Sequence, residues 1–71
     1  KPLSRAERTR FQTNLTRLGF DAGEADGLLG RKSRAALRQY QIAHGMVADG
    51  YPNQAMLTAL DQDAAKASGS N

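Results

Sequence analysis

Apolar side chains recur at helical spacing in three stretches of the chain. In the first, Phe11, Leu15 and Leu18 stand three or four residues apart inside a polar run, the spacing of one helix face. Ser4, with Glu7 three residues later, is the reciprocal pattern that satisfies free amides at a helix start. Gly19 follows the last apolar position and suits a left-handed stop, so the pattern predicts a helix over about 5–18. In the second stretch Ser33, Ala36, Leu37, Tyr40, Gln41 and His44 share a face at about 100° per residue. That predicts a helix over about 31–44, stopped by Gly45 as Gly19 stops the first. In the third, Pro52 and the cap Asn53 introduce a shorter helix over about 53–62 carrying Met56, Leu57 and Leu60. Residues 63–71 are small and polar and are expected to fray.

The connections repeat each other. Ala25-Asp26-Gly27 returns as Ala48-Asp49-Gly50, and Ala36-Leu37 returns as Ala59-Leu60; both shifts are 23 residues (48 − 25 and 59 − 36). Each half-unit reads as an aromatic-Gln pair, a glycine stop, an apolar anchor, an Asp-Gly loop and a helix with Ala-Leu on its inner face. Phe11-Gln12, Gly19 and Phe20 belong to the first, and Tyr40-Gln41, Gly45 and Met46 to the second. Helix two ends one unit and begins the next. The expected fold is all-α, a small closed three-helix bundle over residues 1–62 with two pseudo-repeated Asp-Gly loops.

Composition narrows the function. Seventy-one residues make one domain with a small core. There is no cysteine, so disulfide and thiol chemistry are absent. No apolar run approaches the ~20 residues of a membrane span. The chain opens on Lys1 without an initiator Met, as expected of a fragment or processed product. The formal charge of +3 is concentrated at one end. Residues 1–40 hold nine of the ten Lys and Arg against four acids, while the rest has Lys66 against Asp49, Asp61 and Asp63. That imbalance suits an anionic partner or a solvated helix surface.

Several chemistries fail on spacing. Aligning Gly27 with the glycine of a calcium-binding helix-loop-helix puts Ala22 first and Ser33 last; aligning Gly50 puts Gly45 first and Met56 last. Both loops lack the end ligands, and an Asx turn with glycine at positive φ explains each. Glu24 and Asp26 form no glycosidase pair, because such pairs flank a cleft about 5–10 Å wide. His44 is the single histidine, too few for a zinc site; at a helix end it is expected to serve the last carbonyls. Gly27 and Gly30 before Arg31-Lys32-Ser33 lack the spacing and the strand of a phosphate loop. A DNA-binding helix-turn-helix is the rival, since three helices and an arginine-rich second helix suit it. That motif joins its helices by three or four residues, whereas the connections here run 12 (19–30) and 8 (45–52).

Leu18-Gly19-Phe20, Asp26-Gly27, Gly30, Ser33-Arg34-Ala35-Ala36-Leu37, Tyr40-Gln41, Gly45 and Asp49-Gly50 stand in an order and spacing that closely resembles the peptidoglycan-binding type 1 domain of bacterial cell-wall enzymes. The resemblance covers about residues 8–60. "PLSRAER" and "ADGYP" look like the C-terminal module of lytic murein transglycosylases of the B type. Arg31 stands where many members have proline, and Met46-Val47 replaces the commoner Leu-Pro. The resemblance implies a non-catalytic module, without cofactor or metal, that tethers a covalently attached hydrolase or transglycosylase to peptidoglycan. It further implies a monomer in the periplasm or cell envelope, with no nucleic-acid partner.

Murein offers stem-peptide carboxylates and sugar faces, and the sequence leaves open which is bound. Arg31, Arg34 and Arg38 form a stripe on one flank of helix two and are candidate donors to an anion. Tyr51 could offer a ring to a sugar. Asn53 opens helix three as Gly30 opens helix two, and free amides at such starts favour anions. The plain alternative makes Tyr51 a satellite core residue and the arginines a solvated surface.

Overall fold

Ser4 and Glu7 form the reciprocal cap that their spacing predicts. The Glu7 amide donates to Ser4 Oγ at 3.1 Å, and the Ser4 amide donates to Glu7 Oε1 at 2.8 Å. In the computed structural model, which describes residues 2–68, this cap opens α1 (Arg5–Arg17), followed by α2 (Arg31–Ala43) and α3 (Gln54–Ser68). No strand occurs among the described residues. The chain is an all-α three-helix bundle.

The first two helices end alike. Phe20 N–H reaches back to Leu15 O at 2.8 Å and Gly19 N–H to Thr16 O at 3.0 Å; Met46 N–H reaches Gln41 O at 2.8 Å and Gly45 N–H reaches Ile42 O at 3.2 Å. This double closure needs a left-handed residue at its centre, and Gly19 and Gly45 supply φ of 96° and 68°. Each stop throws the next residue, Phe20 or Met46, back against the core. The expected role of His44 toward these carbonyls is corrected: backbone amides occupy them. The imidazole instead lies on the Tyr40 ring at 4.3 Å between centroids, with Nε2 3.8 Å from Asp63 Oδ2.

The core takes Phe11 and Leu15 from α1, Ala36, Leu37 and Tyr40 from α2, and Leu57, Leu60 and Ala64 from α3. Leu3 and Ala22 fill it from the connecting segments. Burying each large aliphatic side chain contributes about 1.5–3 kcal/mol. Asn14 Nδ2 and Arg10 Nε donate to Asp61 across α1 and α3, at 2.7 and 3.1 Å. Tyr40 Oη donates to Asp63 Oδ2 at 2.5 Å and joins α2 to α3.

That last bond bears on the C-terminal helix. Asn53 caps α3 as expected, its Oδ1 accepting the Met56 amide at 2.8 Å. The helix does not stop near residue 62 but runs to Ser68. Asp63 and buried Ala64 hold this turn to the bundle, and alanine and lysine are strong helix formers. Residues 69–71 of the expected tail lie outside the described residues.

Candidate functional site

Two Asx turns and two buried glutamines shape the loops between the helices. Asp26 Oδ1 accepts the Leu28 amide at 2.9 Å, and Asp49 Oδ1 accepts the Tyr51 amide at 3.0 Å. Behind each turn a helix supplies a glutamine. Gln12 Oε1 accepts the Gly27 amide at 2.8 Å, while its Nε2 faces Leu28 O, Ser33 Oγ and Asp26 Oδ1 at 3.0, 3.0 and 3.3 Å. Gln41 Oε1 accepts the Gly50 amide at 2.9 Å, and its Nε2 faces Asp49 Oδ1 at 2.9 Å and Met56 Sδ at 3.6 Å. Ser33 and Met56 are 23 residues apart (56 − 33), so the partners repeat along with the loops. A primary amide suits this post because it accepts and donates at once.

The glycines allow the turns to lie flat on the helices. A β-carbon on Gly27 would sit 2.8 Å from Arg5 Cγ and 3.3 Å from Arg5 O; one on Gly50 would sit 2.9 Å from Arg38 Nη1 and 3.3 Å from Arg34 O. Both glycines hold positive φ, 80° and 63°. The two loop aspartates are held below the ordinary carboxylate value, first by the turn amide each accepts and then by the glutamine amide. They are turn-formers. Among the described residues no group of three His, Cys, Asp or Glu could hold a metal ion.

The turns deliver their following residues to one place. Leu3, Leu29 and Pro52 each directly precede a helix cap, at Ser4, Gly30 and Asn53. All three line one open groove of about 330 Å³, together with Pro2, Arg8, Arg34 and Tyr51. Arg34 Nε donates to Leu29 O at 3.1 Å. Arg8 ties the first Asp-Gly loop to the N-terminal segment, its Nε donating to Gly27 O at 2.7 Å and its Nη1 to Leu3 O at 2.6 Å. Tyr51 is 62% exposed, so its ring belongs to the surface and not to a satellite core.

Of the five expected residues, Arg34 and Tyr51 meet in this groove. Arg31 lines a separate hollow of about 250 Å³ over the first loop, beside Glu24, Asp26, Leu28 and Lys32. Arg38 lies exposed alongside Gly50. Asn53 commits its side-chain oxygen to capping. Sequence reasoning missed Arg8, which sits one residue past the capping pair with no periodic signal of its own. The two glutamines were visible as a repeat but not as clamps.

The family described as "Putative peptidoglycan binding domain" matches residues 4–60, from the α1 cap through Leu60. This chain belongs to that family. The matched span contains both glutamine clamps and both Asp-Gly turns, and all but Pro2 and Leu3 of the groove lining. Neither a curated protein nor a solved structure matches the chain. A peptidoglycan-binding domain is a non-catalytic recognition module of the cell envelope or cell wall. Among the described residues no helix is long and apolar enough to cross a membrane.

Proposed function

We propose that this peptidoglycan-binding domain tethers a cell-wall-lytic enzyme, a lytic transglycosylase of the periplasm, to the sacculus. The groove of Arg8, Arg34 and Tyr51 is its wall-contacting surface. The observation that carries this reading is the meeting of two arginines and an exposed aromatic over a floor of Leu3, Leu29 and Pro52 in a chain of this family. Arg38 and Arg31 add positive charge on the same helix, and Asn53 holds the third helix start beside the groove. "PLSRAER" and "ADGYP", with their likeness to the C-terminal module of B-type murein transglycosylases, support the choice of enzyme.

Individual contacts need not be strong. Tethering raises the effective concentration of substrate around an attached enzyme, to the millimolar range for short linkers. The test is retention on purified sacculi, with duplex DNA titrated at several salt concentrations as the comparison. The chain is expected in the sacculus pellet, with no muropeptide released. Retention should fall for Arg34→Ala/Arg38→Ala and for Tyr51→Ala, each checked for intact helicity. Unchanged retention with all three positions emptied places the surface elsewhere; salt-sensitive DNA binding without sacculus binding supports a nucleic-acid module instead.

A further inference from the structure

The groove at the three helix starts has charge of one sign. Arg8 and Arg34 line it and no carboxylate does. Among the described residues the ion pairs are Arg10 with Asp61, Lys32 with Asp21, and His44 with Asp63, so neither groove arginine has an acidic partner. The remaining lining is alkyl or ring, from Pro2, Leu3, Leu29, Pro52 and Tyr51, with the Tyr51 hydroxyl as its one further polar side-chain group.

This inventory discriminates between the two chemistries of murein. A sugar presents hydroxyls that both donate and accept, and proteins grip them with carboxylates and amides alongside an aromatic platform. Arginine carries five donors and no acceptor, and no Asp, Glu, Asn or Gln side chain lines this groove. A peptide carboxylate needs donors only. The Nε bond to Leu29 O orients the Arg34 guanidinium and leaves its two Nη groups as a fork of the geometry that takes a carboxylate on two bonds. The apolar floor suits the small alkyl side chains next to such a carboxylate.

We infer that the groove reads a free carboxylate of the peptidoglycan stem peptide and not the glycan strand, with Arg34 as the fork and Arg8 as the second cation. The inference rests on the peptidoglycan-binding reading and narrows it to one chemical class.

The experiment compares the 71-residue chain on three substrates: intact sacculi, sacculi stripped of peptides by an amidase, and a soluble stem peptide with free or amidated carboxylates. The chain should bind intact sacculi and the free peptide. It should lose about tenfold to hundredfold in affinity for the amidated peptide, the range of hydrogen bonds to a charged group, and it should wash off stripped glycan. Arg34→Gln should reproduce the loss on the free peptide, and Arg34→Lys should recover only part of it, because a point charge lacks the fork. Tyr51→Ala, which leaves both cations in place, should weaken the peptide less than Arg34→Gln. Equal binding to stripped and intact sacculi overturns the inference and leaves the peptidoglycan reading standing. Free-peptide binding that survives Arg34→Gln moves the site out of this groove. No binding to intact sacculi removes the reading beneath both.

Discussion

Replacing Gln12 by alanine removes the clamp that holds the first Asp-Gly turn against α1. Gln12 is 1% exposed and serves four partners, namely the Gly27 amide, Leu28 O, Ser33 Oγ and Asp26 Oδ1. Three of these keep other bonds in the variant, since Ser33 Oγ still donates to Ala22 O, Asp26 still accepts from Leu28 N–H and Leu28 O still accepts from Gly30 N–H. The Gly27 amide does not. A buried donor left unpaired costs about 1–3 kcal/mol, and each net hydrogen bond lost adds about 0.5–1.5 kcal/mol. The sum is about 3 kcal/mol, against a total of about 4–10 kcal/mol for a chain of this length. Gln41→Ala should cost less, about 2 kcal/mol, because one of its partners is a thioether, a weak acceptor. Urea unfolding followed by far-UV circular dichroism measures both, and amide exchange at Gly27 and Gly50 tells which turn has opened. In a domain this small the Gln12 loss should appear as a drop in Tm of about 12–24 °C. A loss below about 1 kcal/mol for Gln12→Ala, less than a single unpaired buried amide, would refute the clamp. So would a Gln41 effect larger than the Gln12 effect.

Three further outcomes follow from the same geometry. Gly27→Ala should destabilise by about 1–2 kcal/mol more than Gly19→Ala, because both hold positive φ but only the first pushes a β-carbon into α1; thermal melts compare them, and equal midpoints contradict the close approach. The folded-state pKa values of Asp26 and Asp49 lie below the ordinary 3.8, so their contribution is present above about pH 4 and is lost as pH falls through the folded values. The urea midpoint should therefore decline on acidification, and less steeply in Asp26→Asn/Asp49→Asn, where the amide oxygen still accepts the turn N–H. Tyr40→Phe should cost about 1–2 kcal/mol by breaking the bond to Asp63, and it should speed amide exchange in α3 after residue 62 more than in α1. Burial and the Asp63 carboxylate both raise the Tyr40 pKa, so ionisation of the phenol offers no route to the same loss below strongly alkaline pH.

The local signals were legible because each involves neighbours in sequence. The Ser4–Glu7 cap, the stops at Gly19 and Gly45, the Asx turns at Asp26 and Asp49 and the cap at Asn53 all close within five residues. Their defining hydrogen bonds join residues close in sequence. The inner faces of the helices were legible for a related reason, since apolar positions at helical period must find cover. Contacts between distant parts were not. Whether a turn is bolted to a helix depends on Gln12 meeting Gly27 and Gln41 meeting Gly50, and the repeat showed these residues recurring without showing that they touch. The end of α3 depended on Tyr40, 23 residues before Asp63; a short polar tail reads as frayed until a buried partner is found for it. The groove is the clearest case. Its lining comes from residues 2 to 52, and no periodicity links Arg8 to Tyr51. Helix phase alone aligned Arg31, Arg34 and Arg38. Folding divided them, because the loops packed beside α2 give each arginine different neighbours. Sequence by itself determined the helix starts, the first two helix stops and the turns; where α3 ends and which side chains share a surface were decided only when the three helices closed on their common core.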